Sequence, residues 1–346
     1  MKILVCGDVH WSEKSSIINQ IGDSKNYTLR IEGLIKTINW VEKTADDEGC
    51  DRIVYLGDFF DKPFLTEKEI TSVRDIKWSK LPHKFIVGNH ESTSSGLSCS
   101  STKILEGKNR EIVHKFSYDL TEAGALVYLP YVLESDRETI ESQFKCFDAD
   151  TVRIVFSHND IKGLQMGPWL SKEGYEMSDI TNNCDIYFNG HIHNGERLNN
   201  TVINVGNITG QNFSEDATKY NHKVYIYDTD TKELKEIENP YAFNFYKIDV
   251  LSENDIKKLY ELKHNAVVQV RCVDTLTDAV KQSIKDESAR IVSSRVIELR
   301  QKTSVTNEEY KTEDLTMNHL EKFAEFCHEK IGTSDELEQE LYEICK

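Results

Sequence analysis

The chain has 346 residues, 38% of them apolar and 29% charged, and a net charge of −17. These figures describe a soluble globular protein long enough to bury its own core without covalent staples. They argue against a blanket attraction to nucleic acid or membrane, and no apolar run approaches the roughly 18 residues of a membrane span.

Residues 1–8 form a short apolar run closed by Gly7 and Asp8, a strand in place of a signal peptide. Further strands are predicted at residues 52–56, 84–87, 153–156, 185–188, 202–205 and 223–227. Between the first two, Leu29, Leu34, Ile38 and Val41 fall at near-helical spacing. Strand, helix, strand in this rhythm predicts an α/β fold. No internal repeat is visible, and the Ser-rich tract 92–102 reads as a mobile surface loop. The eight cysteines are scattered without a C-x-x-C pair. A zinc ribbon or dithiol motif is excluded, and free thiols suit a reducing cytoplasm.

Composition shifts near Asn239-Pro240. Residues 266–270 and 291–299 are strand-like and 277–288 helical, so a small second domain is expected over 240–302. Within 262–302, eight Lys/Arg face five Asp/Glu, a local net of +3 in an acidic chain. Arg271, Arg290 and Arg295 are the candidate phosphate contacts there. A linker at 303–315 carries Glu308, Glu309, Glu313 and Asp314. In the tail, 316–346, Leu320, Phe323, Ala324, Cys327 and Ile331 form a helical stripe that Gly332 stops. Thr333 and Glu336 have capping-box spacing for a second helix, with Leu337, Leu341, Ile344 and Cys345 on one face. Helices this short need a surface to bury such a face, which points to a partner.

The predicted strands share one habit: they run into GDVH (7–10), GDFFD (57–61), GNHE (88–91), SH (157–158) and GHIH (190–193). In an open α/β sheet, groups beyond the carboxyl ends of strands converge on one site. Asp8 and His10 are two apart, so both should project to one side of an extended segment, as should His191 and His193. Carboxylates, imidazoles and an amide, with no thiolate required, suit Mn²⁺, Fe²⁺, Mg²⁺ or Zn²⁺ in a catalytic setting. The set is too large for one tetrahedral ion and fits two, sharing a carboxylate, of the kind that clamps a phosphoryl centre during in-line displacement.

In order and content, these motifs resemble the calcineurin-like metallophosphoesterase signature over about residues 1–230. The spacing and the appended C-terminal region look most like the SbcD-type DNA repair nuclease subunit and its phage recombination-endonuclease relatives. The resemblance implies a two-sheet α-β-β-α sandwich (residues 1–239), a small α/β capping domain that holds DNA, and a terminal helical pair. It implies two metal ions, Mn²⁺ foremost. Asp8, His10 and His193 would hold the first; Asn89, His158 and His191 the second; Asp58 would bridge. His90 would face the scissile phosphate and assist the leaving oxygen, while Asp61 and Glu91 would support the site from behind. It further implies 3′-to-5′ exonuclease and single-strand or hairpin endonuclease action, a homodimer, and an SbcC-type coiled-coil ATPase partner gripped by the tail. The alternatives are a phosphodiesterase or phosphatase acting on nucleotides or other small phosphoesters, and a scaffold on a degenerate fold. The last would have lost ligands, and here every position is filled.

Overall fold

The computed structural model describes residues 1–15, 18, 22–24, 26–93, 96–166, 169–263, 265–290 and 297–301. Residues 1–301 form one compact unit. Its first sheet joins β1 (Lys2–Cys6), β2 (Arg52–Tyr55), β3 (His83–Ile86) and β4 (Arg110–Val113) in parallel, with β13 (Lys223–Asp228) and β14 (Leu234–Glu238) antiparallel beyond β1. The second sheet runs β11 (Glu196–Arg197), β12 (Val202–Asn204), β10 (Ile186–Asn189), β7 (Arg153–Ser157), β6 (Gly124–Leu129), β5 (Ser117–Thr121), parallel except at its two edges. A hairpin of β8 (Gln165–Met166) and β9 (Trp169–Leu170) projects between β7 and β10 in sequence.

Strand alternation assigns the layers. Ile3 and Val5 of β1 point into a core shared with Leu126, Ile154, Phe156 and Phe188 of the second sheet. Leu4 and Cys6 point the other way, onto α1 (Leu29–Asp47) through Ile31, Leu34, Ile38 and Val41. That helix starts at Thr28, whose side chain accepts from the Ile31 N–H, and its apolar residues fall on one stripe. On the far face of the second sheet, Val127, Val155 and Tyr187 pack on Ile140 of α3 (Ile140–Gln143) and Ile180 of α4 (Met177–Asn183). The short helix α2 (Glu67–Val73) opens with a Thr66–Glu69 capping box. The result is helix, sheet, sheet, helix, an α/β sandwich with two mixed six-stranded sheets.

After residue 239 a separate three-stranded parallel sheet follows: β15 (Asn244–Val250), β16 (Ala266–Cys272) and β17 (Ile297–Gln301), with α5 (Thr277–Arg290) between the last two. Sequence reading finds β16 and α5 but overlooks β15. Between residues 88 and 152 it also overlooks β4, β5 and β6. Strand β6, GALVYL, is buried along nearly all its length, so it shows no alternation, while β5, SYDLT, is a half-exposed edge. The described part of the Ser-rich tract is not simply surface. It makes 3₁₀ turns at Leu97–Cys99 and Ser101–Leu105, with Thr102 and Leu105 buried and Ser101 Oγ donating to the Lys62 carbonyl at 3.0 Å.

No described helix is long and apolar enough to cross a membrane. The tail with Leu320, Phe323, Leu337 and Leu341, the side chain of Arg290, and Arg295 lie outside the described residues.

Candidate metal centre

Strands β1, β2 and β3 end on the same edge of the first sheet, and β7 and β10 end beside them in the second. The five strand-end motifs therefore meet. Asp58 Oδ2 lies 3.2 Å from His158 Nε2 and 4.0 Å from His10 Nε2, between two groups of imidazoles. On one side, His10 Nε2 and His193 Nε2 face each other at 2.9 Å, with Asp8 Oδ2 3.9 Å from His193 Nε2. On the other, Asn89 Oδ1 lies 3.1 Å from His158 Nε2 and 3.0 Å from His191 Nδ1.

The backbone is bent to achieve this. His10, Asp58 and His191 have φ of 51°, 45° and 73°. The left-handed region costs a non-glycine residue roughly 1–3 kcal/mol at strained functional sites. The expectation that Asp8–His10 and His191–His193 are extended segments is therefore corrected: each pair spans a turn. The turn sends His191 and His193 to opposite sides of Asp58. Side-chain bonds fix the turns, with the His191 N–H donating to Asp8 Oδ1 and the His90 N–H to Asp58 Oδ1, both at 3.0 Å. Gly88 is required by contact: a Cβ there would sit 2.1 Å from Asp58 Oδ1.

Each of the four imidazoles has its second ring nitrogen engaged. His10 Nδ1 meets Asp61 Oδ1 at 3.0 Å, and His193 Nδ1 meets Glu215 Oε1 at 2.8 Å. His158 Nδ1 meets the Leu56 carbonyl at 2.8 Å, and His191 Nε2 meets Asp160 Oδ1 at 3.2 Å. Acceptors on these atoms hold the protons there and turn the other nitrogen's lone pair inward. Glu91, fully buried, accepts from the Phe60 and Gly88 N–H groups at 2.9 Å, bracing the loops that carry Asp58 and Asn89.

Cations fit this arrangement. Asp8 Oδ2 is buried without a hydrogen-bond partner, a costly state for a carboxylate oxygen. The His10 and His193 lone pairs oppose each other with only a proton or a cation able to reconcile them. Without metal, protons do this work. Burial disfavours charge on His158, but Asp58 outweighs it and pushes the imidazole up to about 9. His193, likewise buried, is pushed up to about 9 by Glu215 and Asp8. Burial pushes His10 down despite Asp61. Burial and the Asp58 charge push Glu91 up to about 8.

Clusters that could hold an ion are Asp8, His10 and His193; Asp58, His158 and His191; and His10, Asp61 and His90. The family profile of calcineurin-like phosphoesterases matches residues 1–195. The chain belongs to that family. Calcineurin-like phosphoesterases are metal-dependent hydrolases with a dinuclear centre. No curated protein matches the chain. Among solved structures, TT1561 of Thermus thermophilus aligns at 14% identity over 68% of this chain and 98% of its own, with a TM-score of 0.41. The glutamine-dependent NAD+ synthetase from Acinetobacter baumannii, in complex with adenosine diphosphate, aligns at 10% identity. That alignment covers 98% of this chain and 70% of the synthetase, with a TM-score of 0.29. The family assignment rests on the match over residues 1–195.

Of the residues singled out in the sequence, Asp8, His10, Asp58, Asn89, His158, His191 and His193 are brought together. His90 lines the same cleft, a cavity of about 360 Å³, with its side chain 42% exposed and Nδ1 3.1 Å from the Asp61 carbonyl. Sequence reasoning misses two carboxylates. Asp160 follows His158 by two residues, a signal that could have been read. Glu215 sits in a loop with no motif and is found only by the fold. Arg271 is not the free cation expected: Asp249 binds its guanidinium through two contacts of 2.6 and 2.9 Å.

Proposed function

We propose that this calcineurin-like phosphoesterase is the nuclease subunit of an SbcCD-like DNA repair and recombination complex, cutting DNA phosphodiesters with two divalent ions, Mn²⁺ foremost. The observation that carries the chemistry is the position of Asp58 Oδ2 between two groups of inward-turned imidazoles. Asp8, His10 and His193 would hold one ion, Asn89, His158 and His191 the other, and Asp58 both. Two such ions supply Lewis-acid polarisation of the phosphoryl oxygens and an acidified water as nucleophile. Asp58 fixes the separation of the two halves. Asp61, Glu215, Asp160 and the Leu56 carbonyl keep the imidazoles oriented through the reaction. His90, at the mouth, orients the phosphate and hands a proton to the departing oxygen.

DNA as substrate is supported by the exposed, polar cleft, which admits a chain passing through it, and by the extra sheet after residue 239 with its local basic excess. Mn²⁺-loaded protein offered DNA, cyclic nucleotides and phosphopeptides side by side should turn over DNA fastest. Preference for either of the others replaces the nuclease reading by a small-phosphoester or phosphoprotein one. Charge reversal at Arg290 and Arg295 should weaken DNA binding while sparing a small aryl phosphodiester.

The tail is proposed to dock an SbcC-type ATPase whose movement gates DNA access. Deleting residues 316–346 should abolish capture of that partner and leave hydrolysis of small substrates intact. Capture at full affinity by the truncated protein rules the tail out.

A further inference from the structure

A second cavity, about 570 Å³, adjoins the metal cleft. Ile192, Asn194 and Ser214 line both, so the two form one continuous groove. Its far end differs in chemistry from the metal centre. Lys219, from the loop after Glu215, and Lys247, from β15, both line it and are exposed. Among the described residues neither makes a salt bridge. Unengaged cations carry weight here, because elsewhere on this acidic surface Lys223, Lys235 and Lys263 are all engaged by glutamates. Tyr220 and Phe213 line the same cavity, and Phe213 is held edge-on against buried Phe245 at 5.2 Å. The cavity also contains two acids. Asp216 spends Oδ1 on the Thr218 N–H and hydroxyl at 3.0 and 2.8 Å, while Glu196 is on the exposed edge strand β11.

We propose that this groove is the subsite for the unpaired nucleotide next to the scissile phosphate. Lys219 and Lys247 take the flanking phosphate and Tyr220 stacks on the base. The inference rests on the nuclease reading above and adds the residues that hold the strand. A duplex end does not supply a free base face for stacking, so the groove selects single-stranded or frayed DNA. Cations on the backbone with an aromatic face under the base are the general chemistry of single-strand binding. Part of the groove belongs to β15, so the extra sheet contributes to the substrate site through Lys247.

The experiment compares Mn²⁺-loaded full-length protein with its K219E/K247E and Tyr220→Ala variants. The substrates are a short single-stranded oligonucleotide and bis(p-nitrophenyl) phosphate, which is too small to extend into the groove. The double reversal should raise KM for the oligonucleotide by about tenfold or more and reduce the salt dependence of binding by about 1.4 in slope, the loss of two phosphate contacts. Tyr220→Ala should raise that KM about tenfold. Turnover of the aryl diester and the content of two ions should stay as in the wild type. An unchanged oligonucleotide KM overturns the subsite alone. Equal losses on both substrates overturn it too, since the lysines would then act on the metal centre. A wild type that cuts the aryl diester but no oligonucleotide overturns the nuclease reading and the subsite with it.

Discussion

The two halves of the metal centre are built from similar parts but are not equivalent. The half with Asp8, His10 and His193 has a carboxylate among its donors, and carboxylates (Asp61 and Glu215) behind both imidazoles. The half with Asn89, His158 and His191 replaces Asp8 by a neutral amide and backs His158 with a backbone carbonyl. Its compensation is Asp58, whose Oδ2 is 3.2 Å from His158 but 4.0 Å from His10. A carboxylate behind an imidazole makes it a stronger donor. The first half should therefore bind its ion tightly on its own, whereas the second depends on the shared carboxylate.

Removing that carboxylate gives the largest expected effect. Asp58→Asn should abolish the second ion, weaken the first, and cost more than the 10²–10⁴-fold typical of losing a general acid or base. Metal analysis under saturating Mn²⁺ that still finds two ions would break the comparison. His90→Ala comes next. Outside the three-and-three division, it should keep both ions and lose about 10²–10⁴-fold in kcat, because proton transfer to the leaving oxygen matters only in the transition state. Loss of metal instead would make His90 a ligand.

A pH titration addresses both halves at once, because each contains one imidazole pushed up to about 9: His193 in the first and His158 in the second. At pH 7 both carry a proton that an incoming ion must displace. Affinity for each ion should rise about tenfold per pH unit and level off above about 9. Calorimetry in buffers of different ionisation enthalpy should count about two protons released per protein at pH 7. The sign reverses for stability. Both folded values exceed the ordinary 6.5, so in metal-free protein this contribution is full below 6.5 and disappears as pH rises through about 9. The metal-free melting temperature should fall over that interval, and metal should cancel the fall.

The sequence discloses the donors of this centre but little of what makes its halves unequal. Donors sit at strand ends, where local patterning and the Gly-Asp, Gly-Asn and Gly-His dipeptides mark them. Glu215 lies 22 residues past His193 and reaches it only because β12 and the following loop return to the first sheet, a contact no local pattern records. The turns at His10 and His191 are equally hidden: an isolated His favours extended backbone, and tertiary bonds to Asp58 and Asp8 override it. Missed strands follow the same logic. β6 is buried on most of its surface and shows no period, and β15 gains its partner β16 only in the fold.

The smallest effects are the most diagnostic, because they can separate the halves without touching a donor. Glu215→Gln keeps the size and a hydrogen-bond acceptor but removes the charge behind His193. Asp160→Asn does the same behind His191. Changes of this kind typically cost 10–100-fold in metal affinity. If the halves are independent apart from Asp58, Glu215→Gln should weaken the first ion and leave the second within about threefold, while Asp160→Asn does the reverse. Glu215→Gln should also bring His193 back toward 6.5, since Glu215 is the main influence raising it. Proton release at pH 7 should then fall from about two to about one, which a merely loosened loop would not produce. Stepwise Mn²⁺ titration with proton counting reads both quantities in one experiment. Equal weakening of both ions by either substitution would show that the two halves act as one rigid unit, and the asymmetry argued from Asp8 and Asn89 would be wrong.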